Sequence, residues 1–149
     1  MTALIFYLFL ALFISFVCSL VEATLLTIPK SYLLSIEKSN EWATSFLSFK
    51  NNIDKPLSAI LTLNTIAHTI GAAGVGAEVT SLFGDNYLGF ASAILTILIL
   101  FFSEIIPKTI GATYCKGLSK FTFYTVKFML MITYPFVIVS MKITGSIAT

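Results

Sequence analysis

Three short runs place hard oxygen donors where an apolar sequence has little room for them. Ser15, Ser19 and Glu22, in SFVCSLVEAT, are spaced by four and three, which puts them on one helical face. Asn64, His68 and Gly71, in LTLNTIAHTIGAAGVGAE, again share one face, beside the small residues Gly74 and Gly76. The third run, FFSEIIPKTIGA, holds Glu104, Pro107, Lys108 and Gly111. Hydroxyl, amide and carboxylate oxygens are the ligands of a hard cation, and Mg²⁺ takes them in a near-octahedral shell at about 2.0–2.1 Å. An ionisable side chain inside a membrane span costs about 2.5–3.5 kcal/mol on insertion scales, so it normally faces protein or water.

Each run also has a plainer reading. Serines let helices approach closely, and Glu22 lies near enough to a helix end to reach water. A solitary histidine such as His68 is more often a satisfied buried group than a ligand, and imidazole suits Mg²⁺ poorly. Glu104 and Lys108 stand four apart and could neutralise each other. Pro107 has no amide hydrogen for the Ser103 carbonyl, and its ring pushes that turn open. The freed carbonyl needs another partner in lipid, and a cation is one. Gly111 would then let the chain turn with its backbone exposed.

These residues need helices to hold them, and the composition says which kind. Of 149 residues, 57% are hydrophobic and 11% charged, against about a quarter charged in soluble domains. Lipid must therefore serve as part of the solvent. Three segments reach the ~20 apolar residues a span needs: residues 3–28, stopped by Pro29-Lys30; 56–83, opened by Lys55-Pro56; and 87–106, stopped by Pro107-Lys108. The first is about twice a signal-peptide core and lacks a basic leader, so it is expected to stay as a span. Residues 31–52 alternate apolar groups with Glu37, Lys38 and Glu41, which predicts one or two surface helices with Trp42 at headgroup depth. Residues 121–141 are apolar enough for a fourth span. Lys127, Pro135, Tyr124 and Tyr134 instead favour a kinked helix or helix pair on the membrane, giving surface helices over about 112–141.

Lysine placement sets an orientation. Lys30, Lys38, Lys50 and Lys55 flank the first connection, and Lys108, Lys116 and Lys120 follow the third span. The connection 81–87 has Asp85 and no lysine, so the N-terminus is expected outside and both lysine-rich segments in the cytoplasm. Glu78 and Asp85 would lie at the outer mouth, where they raise local cation concentration. Every basic residue is a lysine and the net charge is +2, which excludes nucleic acid as a partner. Cys18 and Cys115 lack metal-ligand spacing and read as inert thiols. No internal repeat is visible, so a symmetric pathway would need a second copy of the chain.

With those residues in place, the sequence resembles the transmembrane domain of the CNNM/CorC family. The run S-FVC-S-LV-E-A is similar to that family's first-helix pattern, LNT to its second-helix G-N-T/N segment, and SEIIPKTIGA to its G-E-I-I-P-K signature. Leu63 and Ser103 stand where the family usually has glycine, and His68 where a second asparagine is frequent. The resemblance implies an all-α homodimer, with three spans and a juxtamembrane belt in each subunit. It implies a Mg²⁺ site made by Ser15, Ser19, Asn64 and Glu104, with the Gly111 carbonyl as a further candidate ligand. It also implies Mg²⁺ export coupled to Na⁺ influx in the cell membrane, and cytoplasmic CBS domains after the belt. No CBS pair lies within these residues, so the chain is expected to be a shortened form or a short paralogue.

Two functions from different classes follow: a dimeric Mg²⁺ transporter domain, or a membrane sensor or scaffold that binds Mg²⁺ without moving it. A membrane enzyme is the weak third reading, since no Ser/His/acid set, metalloprotease motif or phosphate loop is visible and His68 stands alone.

Overall fold

The computed structural model describes residues 1–148. Helix α1, Thr2–Thr27, is an unbroken apolar run that carries no charge before Glu22. It ends because Pro29 forces its neighbour out of the helical region, and Ile28 is extended at φ −59°, ψ 127°. Two short helices follow, α2 (Lys30–Ile36) and α3 (Glu41–Asn51). In α3, Glu41 in the first turn and Lys50 in the last oppose the helix dipole. Helix α4, Asp54–Phe83, accepts Pro56 because that residue falls in the first turn, where no amide partner is needed. It stops at Gly84, whose φ of +90° suits a residue without Cβ.

A single 3₁₀ turn, Asp85–Tyr87, leads into the third span, which is helical from Asp85 to Thr113. That span has three parts: α5 (Leu88–Leu98), a π-helical stretch (Ile99–Ile105) and α6 (Ile106–Thr113). The expected stop at Pro107-Lys108 is therefore not where the helix ends. The chain absorbs Pro107 upstream, in wide π turns where the Ile106 amide donates to the Phe101 carbonyl, five residues back. Pro107 then sits in the first turn of α6, where its missing amide hydrogen costs little.

The chain is all-helical, as its hydropathy predicts, and among the described residues it contains no strand. Three helices are long and apolar enough to cross a membrane. Helices α7 (Cys115–Ile132) and α8 (Tyr134–Ala148) meet at an 87° bend, and only together would they pass as a fourth, broken span.

The main core lies where α2, α3 and α7 close around the ends of α1 and α4. Val21, Leu25 and Ile28 pack there with Leu33, Phe46, Ile60 and Val126. Phe123 of α7 stacks against Phe49 at 5.6 Å and Trp42 at 6.5 Å. Lys116 lies over the Tyr32 ring at 5.3 Å and ties α7 to α2. Lys50 donates to the Leu25 and Leu26 carbonyls at 2.9 and 3.3 Å, satisfying acceptors that the end of α1 leaves open. Burial, reinforced by the Lys30 ammonium, pulls the Lys50 pKa below its ordinary value.

Candidate cation site

Helices α1 and α4 run antiparallel in close contact, and glycines set their spacing. A Cβ at Gly71 would collide with that of Ala11, and one at Gly74 would meet the Tyr7 ring at 2.5 Å. The next contact along the same seam is Ser15 Oγ with His68 Nε2, at 2.6 Å. Moving down α1 by four residues moves up α4 by three or four. This register brings Ser19 to the level of Asn64, one turn below the Ser15–His68 pair.

The third span runs parallel to α1. Ser103 Oγ donates to the Leu12 carbonyl at 3.1 Å, and Thr24 Oγ1 donates to the Leu20 and Gly111 carbonyls at 2.9 and 3.3 Å. Between these struts Glu104 enters the seam with its side chain 23% exposed. Asn64 Nδ2 donates to Glu104 Oε1 at 3.4 Å, and His68 Nε2 lies 3.8 Å from the same oxygen. Lys108 Nζ is 3.1 Å from Glu104 Oε2 and 3.5 Å from Glu22 Oε2. Glu22, which its spacing puts on the face of Ser15 and Ser19, is 16% exposed and belongs to this network.

Ser15, Asn64, His68, Glu104, Lys108 and Glu22 thus form one connected cluster across three helices, and the register adds Ser19. Its chemistry is that of hard oxygens. Ser15 and Ser19 are fully buried. Ser19 Oγ and Asn64 Oδ1 are buried with no hydrogen-bond partner, a costly condition in an apolar interior. Two carboxylates, Glu22 and Glu104, face the one ammonium of Lys108. Among the described residues no group of three His, Cys, Asp or Glu side chains gathers as a metal site. The donors present are hydroxyl, amide and carboxylate oxygens, the kinds a hard cation accepts.

His68 is the satisfied histidine of the plainer reading, meeting both a serine and a carboxylate. Both contacts fall on Nε2, whereas a histidine activating a hydroxyl needs the acid on its other nitrogen. In the tautomer with its proton on Nδ1, Nε2 accepts the Ser15 hydroxyl and leaves the Ser15 lone pairs for another partner. Gly111 makes no turn. It lies inside α6, buried, because a Cβ there would come within 2.5 Å of the Leu20 carbonyl oxygen. Its own carbonyl already accepts Thr24 Oγ1.

Sequence reading missed Ser103 and Thr24 as struts between the first and third spans. The signal was there: a hydroxyl in an apolar helix needs a partner, and Ser103 replaces an expected glycine. A cleft of about 420 Å³ between α4 and the third span reaches His68 and Glu104 from the end where Gly76 and Leu88 lie, passing Ser92 and Thr96.

Comparison with known proteins agrees with this architecture. Residues 5–149 match the family model described as the Cyclin M transmembrane N-terminal domain. A UPF0053 protein of Synechocystis, sll1254, is 33% identical over 138 residues, covering 92% of this chain and 40% of the relative. A UPF0053 protein of Haemophilus influenzae is 31% identical over 138 residues, covering 85% and 32%. A chloroplastic DUF21 domain-containing protein of Arabidopsis thaliana is 24% identical over 90 residues, 60% of this chain and 14% of the relative. The chain spans two fifths of the first relative and about a third of the second. Three apolar helices, their signature runs on one seam and a match along almost the whole length place this chain in the Cyclin M (CNNM) family, as a membrane domain of that family.

Proposed function

We propose that this domain moves Mg²⁺ across the membrane by alternating access within a homodimer, exporting it against Na⁺ influx. The observation that carries this reading is the pair of unpartnered buried oxygens, Ser19 Oγ and Asn64 Oδ1, beside carboxylates that outnumber their ammonium. Ser15, Ser19 and Asn64 supply neutral oxygens, Glu104 supplies charge, and the Gly111 carbonyl is a further candidate ligand once released by Thr24.

Without the ion, Lys108 acts as its stand-in, holding Glu104 from one turn below. An arriving dication outcompetes a single ammonium at that carboxylate. Lys108 then keeps Glu22, so its charge stays compensated while Glu104 turns to the ion. The cleft past Ser92 and Thr96 gives a route to the site from the α4–α5 end. The lysine distribution supports an N-terminus outside the cell membrane and a cytoplasmic belt. In longer chains of the family, regulatory CBS domains would attach to that belt.

Reconstituted liposomes carrying a Mg²⁺ indicator test the reading, with and without a Na⁺ gradient. The native chain should show Na⁺-dependent Mg²⁺ flux, and Glu104→Gln and Asn64→Ala should each lose most of it. Unchanged flux in both variants overturns the assignment. Mg²⁺-dependent thermal stabilisation without any flux would instead identify a sensor or scaffold.

A further inference from the structure

The belt holds a second cleft, lined by none of the residues of the cation cluster. It has a volume of about 590 Å³ and lies between α3, the start of α4, α7 and the first residue of α8. Lys55 and Lys127 reach it from α4 and α7. Ser45 and Tyr134 bring a hydroxyl each, and Phe49 and Phe123 are among its apolar walls. The 87° bend between α7 and α8 is what brings Tyr134 to the edge of this cleft.

Neither lysine is neutralised. The ion pairs among the described residues all join His68 or Lys108 to Glu22 or Glu104, and Asp54, beside Lys55 in sequence, makes none. Two ammonium groups over an aromatic wall call for a ligand with an anionic head and a hydrocarbon body. Inorganic phosphate would satisfy the lysines and leave the apolar wall wet. A zwitterionic lipid would bring its own ammonium up against them. The belt helices, with Trp42 and Tyr134, have the composition of a headgroup-level layer. Basic pockets at the cytoplasmic ends of spans hold anionic headgroups by this chemistry.

We propose that this cleft binds one anionic phospholipid, its phosphate between Lys55 and Lys127 and an acyl chain along Phe49 and Phe123. The lipid would bridge α4 and α7, fastening the belt to the second span. This inference stands apart from the Mg²⁺ reading and does not need it.

Trp42 supplies the probe, because it is the sole tryptophan and packs on Phe123, a wall of the cleft. The full chain is placed in phosphatidylcholine vesicles containing matched minor fractions of either brominated phosphatidylglycerol or brominated phosphatidylcholine. Brominated phosphatidylglycerol should quench Trp42 at concentrations lower by on the order of tenfold, the scale expected for two lysines near a headgroup. Lys55→Gln with Lys127→Gln should abolish the preference, and Lys55→Arg with Lys127→Arg should keep it. Equal quenching by both lipids in the native chain overturns the proposal, as does a preference that survives the glutamine pair. Loss of the preference on adding inorganic phosphate would show a phosphate site in place of a lipid site.

Discussion

Lys108 lies between two carboxylates on different helices, and under the proposed function its choice between them would set whether Glu104 is available to a cation. Removing the ammonium should free Glu104 permanently. Lys108→Met is therefore expected to stabilise against heating at Mg²⁺ concentrations several-fold below those the native chain needs. Glu22→Gln should do the reverse, since Lys108 then has only Glu104 to hold. The same shift for both variants would sink the exchange mechanism. Spacing alone made the Glu104–Lys108 pair legible, because four residues apart on a helix are neighbours. The Glu22 and Ser15 contacts were not legible, since they depend on how far α1 slides along α4 and the third span. That register is set by Gly71 and Gly74 meeting Ala11 and Tyr7, a fit of shapes that hydropathy does not encode.

At the scale of the element, the third span shows what local rules can and cannot say. Pro107 was expected to open the helix, and it does so by widening it, with the π turns lying before the proline. A π stretch holds a surplus residue relative to an α-helix. Inserting one alanine after Leu95, in the α-helical part of the span, should turn Glu104 by about 100° relative to the start of α5. Mg²⁺-dependent stabilisation should then vanish while the belt still packs, which Trp42 fluorescence would report. Gly111 gives a second expectation: Gly111→Ala forces a methyl group against the Leu20 carbonyl, backbone that cannot yield cheaply. A loss of about 1–3 kcal/mol, the usual cost of overpacking, should appear as a lower Tm in detergent. A native Tm would contradict the close approach. From sequence Gly111 read as a turn, because glycine marks bends and close helix contacts alike, and only the neighbouring helix distinguishes them.

For the whole molecule, the three apolar runs were readable because lipid imposes a span length, while the sidedness drawn from the lysines is an expectation. Whether α7 and α8 stay on one surface is a question of topology that labelling answers. With both native cysteines buried, a cysteine introduced at position 85 should react from outside, and one at 38 or 116 from inside. Reaction of position 145 from outside would show that the bent pair crosses. Packing is also uneven along the membrane normal. The core of Val21, Leu25, Phe46 and Val126 gathers at the belt end, whereas at the far end the described residues buried together are Val75, Val79 and Leu95. There Ile5, Phe6 and Phe9 point outward at 60% exposure or more, and an apolar cleft of about 360 Å³ separates the tips of α1, α4 and α5. The domain is thus densely packed at the belt end and sparsely packed at the far tips. The cation cluster lies between the two, so a small splaying of the sparsely packed tips would reach Glu104 before it reached the denser belt core.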